Sequence, residues 1–268
     1  MLTPEEVWRR YDAIESRLTA TVSERMLDLA GLRPGLRVLD LATGRGEPAL
    51  GAARRVGPAG QVVGVEISDA MLRMAQEKAD REGLANLTLR VGNAEVLDEL
   101  ASGDFHAVTI RWGLMYMAAP VAALEQARRV LRSDGVLVAA LWAEPERVPY
   151  FTLPRRLLER YRRLPVADPE APGVFRFANP ARIDRDFTGA GFTLEHVEEL
   201  EVPVFEAATA AEIVAWVRAF GLEALLADVA ADDQRAWEND LVVEMERGRT
   251  DGVMRLGGVT RLVRARPA

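Results

Sequence analysis

Cysteine is absent from the sequence, so disulfide bonds, thiolate zinc sites and cysteine nucleophiles are excluded. No run of about 18 apolar residues occurs, which argues against a membrane-spanning helix, and the amino-terminal MLTPEEVWRR lacks the pattern of a secretory signal peptide. The formal net charge of −7 argues against a nucleic-acid partner. We therefore expect a cytoplasmic globular protein without membrane insertion and without a nucleic-acid ligand.

The most informative stretch of the chain is RVLDLATGRGEPAL, at Arg37–Leu50. Its apolar beginning is typical of a buried parallel strand, but it contains the carboxylate of Asp40. A buried carboxylate is costly unless it meets water, a donor or a ligand. The glycine-rich turn Thr43–Gly46 follows, and then a helix from Glu47 to Val56. A strand, a glycine turn and a helix in this order let a ligand approach backbone N–H groups at a helix amino terminus.

Strands and helices alternate through Arg37–Ala143, which predicts an α/β fold. We expect a doubly wound, Rossmann-like, mostly parallel seven-stranded sheet with helices on both faces. The second strand, Gln61–Glu66, ends in an acid 20 residues after Gly46, where a carboxylate can accept two hydrogen bonds from a ribose diol. The other predicted strands are Leu87–Val91, Asp104–Trp112, Val136–Trp142, about Thr193–Val202 and Val253–Ala265.

Further helices are predicted outside this alternation. Glu5–Leu18 and Val22–Ala30 precede the first strand, and the helical region Glu206–Met245 precedes the last. The arginine-rich helix Leu153–Leu164 is either a solvated face or a dock for a phosphorylated substrate or an acidic carrier protein. We expect an amino-terminal helical lid at 1–30, a cofactor-binding core at 31–145, and a carboxyl-terminal part at 146–268 with a helical lid insertion at about 206–247. The helices predicted within and after the core are Ser68–Glu82, Ala118–Leu131 and Pro180–Ala190.

The glycine turn fits the pattern G-x-G-x-x-A at Gly44–Ala49, which by itself would also suit a dinucleotide fold. Asp40 argues against a dehydrogenase, because a dinucleotide-binding strand is normally apolar at that point. Five stretches, VLDLATGRGEPAL, VVGVEISDAML, GNAEVL, FHAVTIRWGLMYM and RVLRSDGVLVAALW, resemble in order and spacing the motifs of class I S-adenosylmethionine-dependent methyltransferases. The resemblance covers about Leu32–Trp142 and is greatest to the subgroup similar to the ubiquinone/menaquinone biosynthesis methyltransferases.

This resemblance implies that the chain binds S-adenosyl-L-methionine. Asp40, Gly44 and Gly46 would hold the methionine end of the cofactor, and Glu66 would bind its ribose hydroxyls. Ile67 and Met71 would pack on the adenine ring, and Asn93, Ala94 and Glu95 would lie at its edge. The Arg111 carbonyl would face the cofactor's amino group. Trp112, Met115 and Tyr116 would face the cofactor or the acceptor. The family usually has Asp where this chain has Asn93, which can still accept a hydrogen bond but brings no charge.

Methyl transfer is an in-line displacement, so positioning and water exclusion can supply much of the rate enhancement. A hydroxyl or carbon acid would still gain from a general base, and no obvious base is present. His106 is placed at the start of the fourth predicted strand, away from the cofactor end, and no acidic pair accompanies a histidine to form a metal site. The remaining candidates for the base are Tyr11, Tyr116 and His196, with Glu144 as a further guess.

The large apolar side chains outside the core predict a mainly apolar acceptor of medium size. The candidate acceptor-binding residues are Trp8, Tyr11, Met115, Tyr116, Trp216 and Phe220. Each of the first four could instead pack in the core, and this alternative is the favoured one for Trp8 and Tyr11. We therefore predict a methyltransferase that acts on an oxygen or carbon of a small molecule in secondary metabolism. Two alternatives remain: a non-methylating reaction in the same pocket, such as a cyclisation or a decarboxylation, and a protein that senses the cofactor without chemistry. A homodimer is left open.

Overall fold

The computed structural model describes residues 3–166 and 168–268, and they form two compact units. Unit 1 comprises Met1–Thr19, Glu144–Asp168 and Glu201–Val259, and unit 2 comprises Ala20–Ala143, Pro169–Leu200 and Thr260–Ala268. The contiguous division at 1–30, 31–145 and 146–268 stays a prediction. Leu2, which belongs to the predicted amino-terminal lid, lies outside the described residues.

Seven strands form one sheet in the order β3-β2-β1-β4-β5-β7-β6. Their bounds are β1 (Arg37–Leu41), β2 (Gln61–Glu66), β3 (Leu87–Val91), β4 (Phe105–Arg111), β5 (Leu131–Trp142), β6 (Phe192–Ala207) and β7 (Met254–Pro267). Strands β1 to β5 pair in parallel, whereas β7 pairs antiparallel with β5. The sheet is therefore mixed, and the prediction of a mostly parallel sheet is corrected. The strand–helix alternation that predicts parallel pairing ends near Trp142, and β7 lies beyond it.

The helices are α1 (Pro4–Leu29), α2 (Ala49–Val56), α3 (Asp69–Glu82), α4 (Pro120–Val130), α5 (Pro149–Leu158), α6 (Pro180–Gly189), α7 (Ala210–Val217), α8 (Glu223–Leu226) and α9 (Ala231–Arg247). Short 3₁₀ turns occupy Leu114–Tyr116 and Pro145–Arg147, and a π-helical turn occupies Arg218–Leu222. None of the helices in the described part of the chain is long and apolar enough to cross a lipid bilayer.

Three predicted helical segments differ from the structure. The two predicted amino-terminal helices are one continuous helix, α1, because residues 19–21 between them include no glycine or proline that would end a helix. Within it the Thr19 hydroxyl donates to the Glu15 carbonyl one turn earlier at 2.8 Å. Helix α5 begins with a proline at its first position, where the missing N–H costs nothing, and ends at Leu158, halfway through the predicted arginine-rich helix Leu153–Leu164. The predicted helical region Glu206–Met245 starts with the end of β6 and is interrupted by the π-helical turn.

The core of unit 1 is an aromatic cluster built around Trp216 of α7. The Trp216 ring stacks on Phe205 at 4.2 Å and meets Tyr11 edge-on at 4.5 Å, while Phe220 lies 3.9 Å away between ring centroids. Trp216 is buried, so its large apolar area contributes to the stability of this unit.

Replacing Trp216 by alanine should lower the free energy of unfolding by about 3–5 kcal/mol, because it leaves a cavity among three other aromatic rings. Urea unfolding followed by circular dichroism measures this change. The matched control is Val243→Ala in α9, whose side chain is 50% exposed and whose loss should cost less than about 0.5 kcal/mol. Equal effects of the two substitutions would contradict a packing role for Trp216.

Candidate active site

The site is built around the buried carboxylate of Asp40 in β1. Asp40 is fully buried, and its Oδ1 accepts a hydrogen bond of 2.6 Å from the Thr109 hydroxyl of β4. Its Oδ2 has no hydrogen-bond partner among the described residues, and the same holds for the Thr43 hydroxyl that follows β1. Burial raises the pKa of Asp40 to about 6, against the opposing effects of the Thr109 hydrogen bond and of the nearby Thr43 hydroxyl. Unpaired buried polar atoms of this kind need a partner such as a ligand.

The glycine turn after β1 leaves room in front of its backbone. Gly44 has φ +54°, and a Cβ added there would meet nothing closer than the Met71 sulfur at 3.9 Å. Gly46 has φ +106°, and a Cβ there would lie 2.7 Å from the Leu50 side chain. Gly46 is therefore required for the close packing of the turn against α2, whereas Gly44 keeps open a space that a ligand can enter.

Glu66, at the end of β2, ties the two neighbouring turns together. Its Oε2 accepts a hydrogen bond of 3.1 Å from the Gly44 N–H, and its Oε1 accepts one of 2.9 Å from the Ser68 N–H. The carboxylate is buried and so fixed in direction. Each carboxylate oxygen can accept a second hydrogen bond, so Glu66 can also receive two hydroxyl groups of a ligand.

Apolar side chains are exposed beside Glu66, at the carboxyl ends of β2 and β3. Ile67 is 73% exposed and Val91 is 60% exposed, and Val96 in the following loop is exposed as well. Such a group of uncovered apolar residues suits a flat apolar ligand group such as a purine ring. Val91 and Val96 were missed in the sequence, although Val96 belongs to the recognised stretch GNAEVL.

The loop after β3 holds its own polar groups. The Asn93 side-chain oxygen accepts a 2.9 Å hydrogen bond from the Glu95 N–H, and Glu95 accepts one of 2.9 Å from the Ala119 N–H. Ala94 between them is buried. Asn93 therefore shapes this loop through a hydrogen bond of its own side chain.

Trp112, directly after β4, is held from several sides. It has φ +54°, its ring stacks on Trp142 at 4.6 Å, and the Arg111 guanidinium carbon lies 5.0 Å from its centroid. Its indole N–H donates to the Thr260 hydroxyl at 2.9 Å, and this buried hydroxyl donates to the Leu141 carbonyl. Thr260 was not expected from the sequence, because only the pairing of β7 with β5 brings it to this edge.

The structure brings the predicted cofactor residues together in unit 2, at the carboxyl ends of β1, β2, β3 and β4. Met71, in the first turn of α3, lies beside Gly44. In the 3₁₀ turn after β4, Met115 is buried and Tyr116 is 54% exposed. Among the predicted acceptor residues, Tyr11, Trp216 and Phe220 meet in the aromatic cluster of unit 1, and Trp8 lies half-buried in α1.

The two histidines occupy different surroundings. His106 accepts a hydrogen bond from the Arg37 N–H at 3.1 Å, at the amino ends of β1 and β4 and thus at the edge opposite to Asp40. His196 in β6 is hydrogen-bonded to Glu198 at 2.8 Å, and Arg25 donates two hydrogen bonds of 2.6 and 2.8 Å to the same carboxylate. The bond from Arg25 lowers the pKa of Glu198 to about 2. His196 and Arg25 therefore bind the same carboxylate, which links α1 to β6.

Comparison with known proteins shows to which family this region belongs. A family described as "Methyltransferase domain" matches residues 32–153. This region is a class I S-adenosylmethionine-dependent methyltransferase domain related to UbiE. The resemblance predicted from the five sequence stretches is thereby confirmed, and so is S-adenosylmethionine as the cofactor of the domain.

Two relatives and one solved structure illustrate the relationship. The chain is 37% identical over 150 residues to the ubiquinone/menaquinone biosynthesis C-methyltransferase UbiE of Serratia proteamaculans, which covers 54% of this chain and 59% of that protein. It is 35% identical over 125 residues to nocamycin O-methyltransferase of Saccharothrix syringae, covering 47% of this chain and 44% of that protein. The chain spans about half the length of these relatives.

The structure of the [4+2]-cyclase SpnF matches with a TM-score of 0.57 and 19% identity, over 99% of this chain and 97% of that one. This likeness shows a common fold along nearly the whole chain. Because the fold also carries a cyclase, it does not by itself fix the reaction.

The residues at this edge of the sheet fit the methyltransferase cofactor. The unpartnered Asp40 oxygen and the open space before Gly44 suit a cationic amino acid end, the Glu66 carboxylate suits a diol, and the exposed Ile67 suits an adenine ring. These three features lie in the order in which the parts of S-adenosylmethionine are joined.

The raised pKa of Asp40 makes the stability of the protein depend on pH. The folded value of about 6 exceeds the ordinary value of 3.8, so protonated Asp40 stabilises the fold fully below pH 3.8, and this stabilisation is lost as the pH rises through about 6. Asp40→Asn should therefore raise the free energy of unfolding above this pH by up to roughly 3 kcal/mol. Urea unfolding of both proteins across the pH range measures the difference, and a variant that is less stable than wild type at high pH contradicts the assignment.

Cofactor binding should show the opposite dependence on the same group. The ionised form of Asp40, which Arg111 favours and Glu47 disfavours electrostatically, is the form that attracts a cationic amino group. Calorimetric affinity for S-adenosylhomocysteine should rise with pH through about 6 in wild type, and should be about tenfold weaker and flat in Asp40→Asn. The control His106→Asn alters the opposite edge and should keep the wild-type dependence.

Proposed function

We propose that the whole chain is an S-adenosylmethionine-dependent methyltransferase that acts on a small-molecule acceptor. The observation that carries the proposal is the buried, unpaired oxygen of Asp40 beside a glycine turn that Glu66 holds open. A buried carboxylate oxygen without a hydrogen bond lowers stability, and its presence is accounted for if it binds a cationic ligand.

The residues of the chain divide the work of binding. Asp40 attracts the amino group of the methionine end, the turn at Gly44 lets the backbone approach it, and Glu66 accepts the ribose hydroxyls. When bound, the cofactor supplies a methyl group on a sulfonium centre, which is already electrophilic. The protein then has to orient the acceptor and exclude water, and the fixed ring of Trp112 offers a rigid wall for that purpose.

The acceptor is proposed to be a medium-sized, mainly apolar molecule that receives the methyl group on oxygen or carbon, in secondary metabolism. Support comes from the nocamycin O-methyltransferase relative and from the apolar side chains among the predicted acceptor residues. Tyr11, Tyr116 and His196 stay the predicted catalytic residues, and the lid at 1–30 and about 206–247 stays a prediction. The same is true of the cytoplasmic location, the absence of a nucleic-acid partner and the homodimer.

Formation of S-adenosylhomocysteine tests the reaction type. The full chain is incubated with S-adenosylmethionine and a panel of apolar phenols and enols, and products are followed by mass spectrometry. Stoichiometric S-adenosylhomocysteine with an acceptor heavier by one methylene supports methyl transfer. A converted substrate without this by-product supports the alternative cyclisation or decarboxylation, and cofactor binding without any conversion supports a sensor.

Replacing Glu66 by glutamine tests the cofactor site with little change in shape. The substitution removes the negative charge that strengthens the hydrogen bonds to the ribose, so S-adenosylhomocysteine should bind about 10–100-fold more weakly, or about 1.5–3 kcal/mol. Calorimetry measures this change. The control Glu82→Gln removes a carboxylate that bonds to Arg54 on the surface and should leave the affinity unchanged. Equal affinity of Glu66→Gln and wild type, or tighter binding of NAD, would remove the basis for the assignment.

A further inference from the structure

A loop that no sequence motif marked is fastened to the segment after β4. The loop consists of residues 169–178 and is called the arginine loop below. Its Gly173 N–H donates to the Met115 carbonyl at 3.0 Å, and its Arg176 Nη1 donates to the Met117 carbonyl at 2.5 Å. Phe177 is fully buried and anchors the loop. The arginine loop is thus bonded to the backbone of the residues immediately before and after Tyr116.

Arg176 brings an uncompensated positive charge to this place. Its Nη1 is bonded to a backbone carbonyl, its Nε is buried with no hydrogen-bond partner, and no carboxylate pairs with it among the described residues. The neighbouring Arg182 differs, because it is paired with Glu170 at 2.8 Å and Asp186 at 3.1 Å. A guanidinium with five donors and so few partners has capacity left for an anionic ligand.

The position of Arg176 connects it with the active site. Met115 and Met117 follow the carboxyl end of β4, and Trp112 stands at that end. The carboxyl ends of parallel strands are where sheets of this kind bind their ligands, and β1 and β2 carry Asp40 and Glu66 at the same edge. Tyr116 between the two methionines is 54% exposed, so this part of the edge is accessible to a ligand.

We propose that Arg176 is an acceptor-binding residue that holds an anionic oxygen of the acceptor. The inference rests on the proposed methyltransferase function and narrows its substrates to compounds with an acidic hydroxyl group. A fixed guanidinium favours the ionised form of a neighbouring hydroxyl, and the released proton passes to solvent. The acceptor oxygen would then be activated by the charge of Arg176 instead of by a general base such as Tyr11, Tyr116 or His196. The other histidine, His106, lies at the opposite edge of the sheet.

Binding of two matched probes tests this role without turnover. Para-nitrophenol is used at a pH at which it is ionised, and para-nitroanisole is its neutral methyl ether. Ligand-observed NMR with the full chain, in the presence of S-adenosylhomocysteine, gives both affinities. Wild type should prefer the phenolate by about tenfold, Arg176→Gln should show no preference, and Arg176→Lys should keep part of it because the charge remains.

Two controls separate a binding role from a structural one. Arg33→Gln removes the same charge from an exposed residue before β1 and should keep the preference for the phenolate. S-adenosylhomocysteine should bind to Arg176→Gln within about twofold of wild type. Arg176 has no such role if wild type does not prefer the phenolate, if Arg176→Gln keeps that preference, or if the variant loses cofactor and both probes alike. Failure of wild type to bind S-adenosylhomocysteine would instead contradict the proposed function itself.

Discussion

The architecture of the site depends on one energetic constraint, the burial of Asp40 inside a parallel sheet. A carboxylate in that position is tolerated because Thr109 of the next strand donates to one of its oxygens, while the other oxygen remains unpaired. The folded protein therefore holds a carboxyl group whose ionised form is disfavoured by burial, and a cationic ligand would favour that form. The buried, unpaired oxygen lowers the stability of the fold but provides a preformed binding site.

The other parts of the site keep this carboxylate accessible and fix the ligand around it. Glu66 fixes the Gly44 backbone through a hydrogen bond between the turns that follow β2 and β1. Trp112 is fixed by Trp142 and by Thr260, and these contacts offset the strain of its backbone. Preorganised groups of this kind lose little entropy when a ligand binds.

Much of this site could be predicted from the sequence, because its parts are local. The strand, the glycine turn and the acid 20 residues later follow from periodicity and spacing alone. The antiparallel direction of β7 could not be predicted in the same way, since strand direction beyond the alternating core depends on long-range pairing. Thr260 and Arg176 reach the site only through that pairing and through a loop bonded to carbonyls of Met115 and Met117. The continuity of α1 was missed, although residues 19–21 contain neither glycine nor proline to end a helix.

The most direct test of this account is a crystal structure of the full chain with S-adenosylhomocysteine. The account predicts that both ribose hydroxyls lie within hydrogen-bond distance of the Glu66 carboxylate, that the amino acid end lies on the side of Asp40 and Gly44, and that the adenine covers Ile67. A ligand bound at the amino ends of the strands, or one whose ribose makes no contact with Glu66, would contradict it.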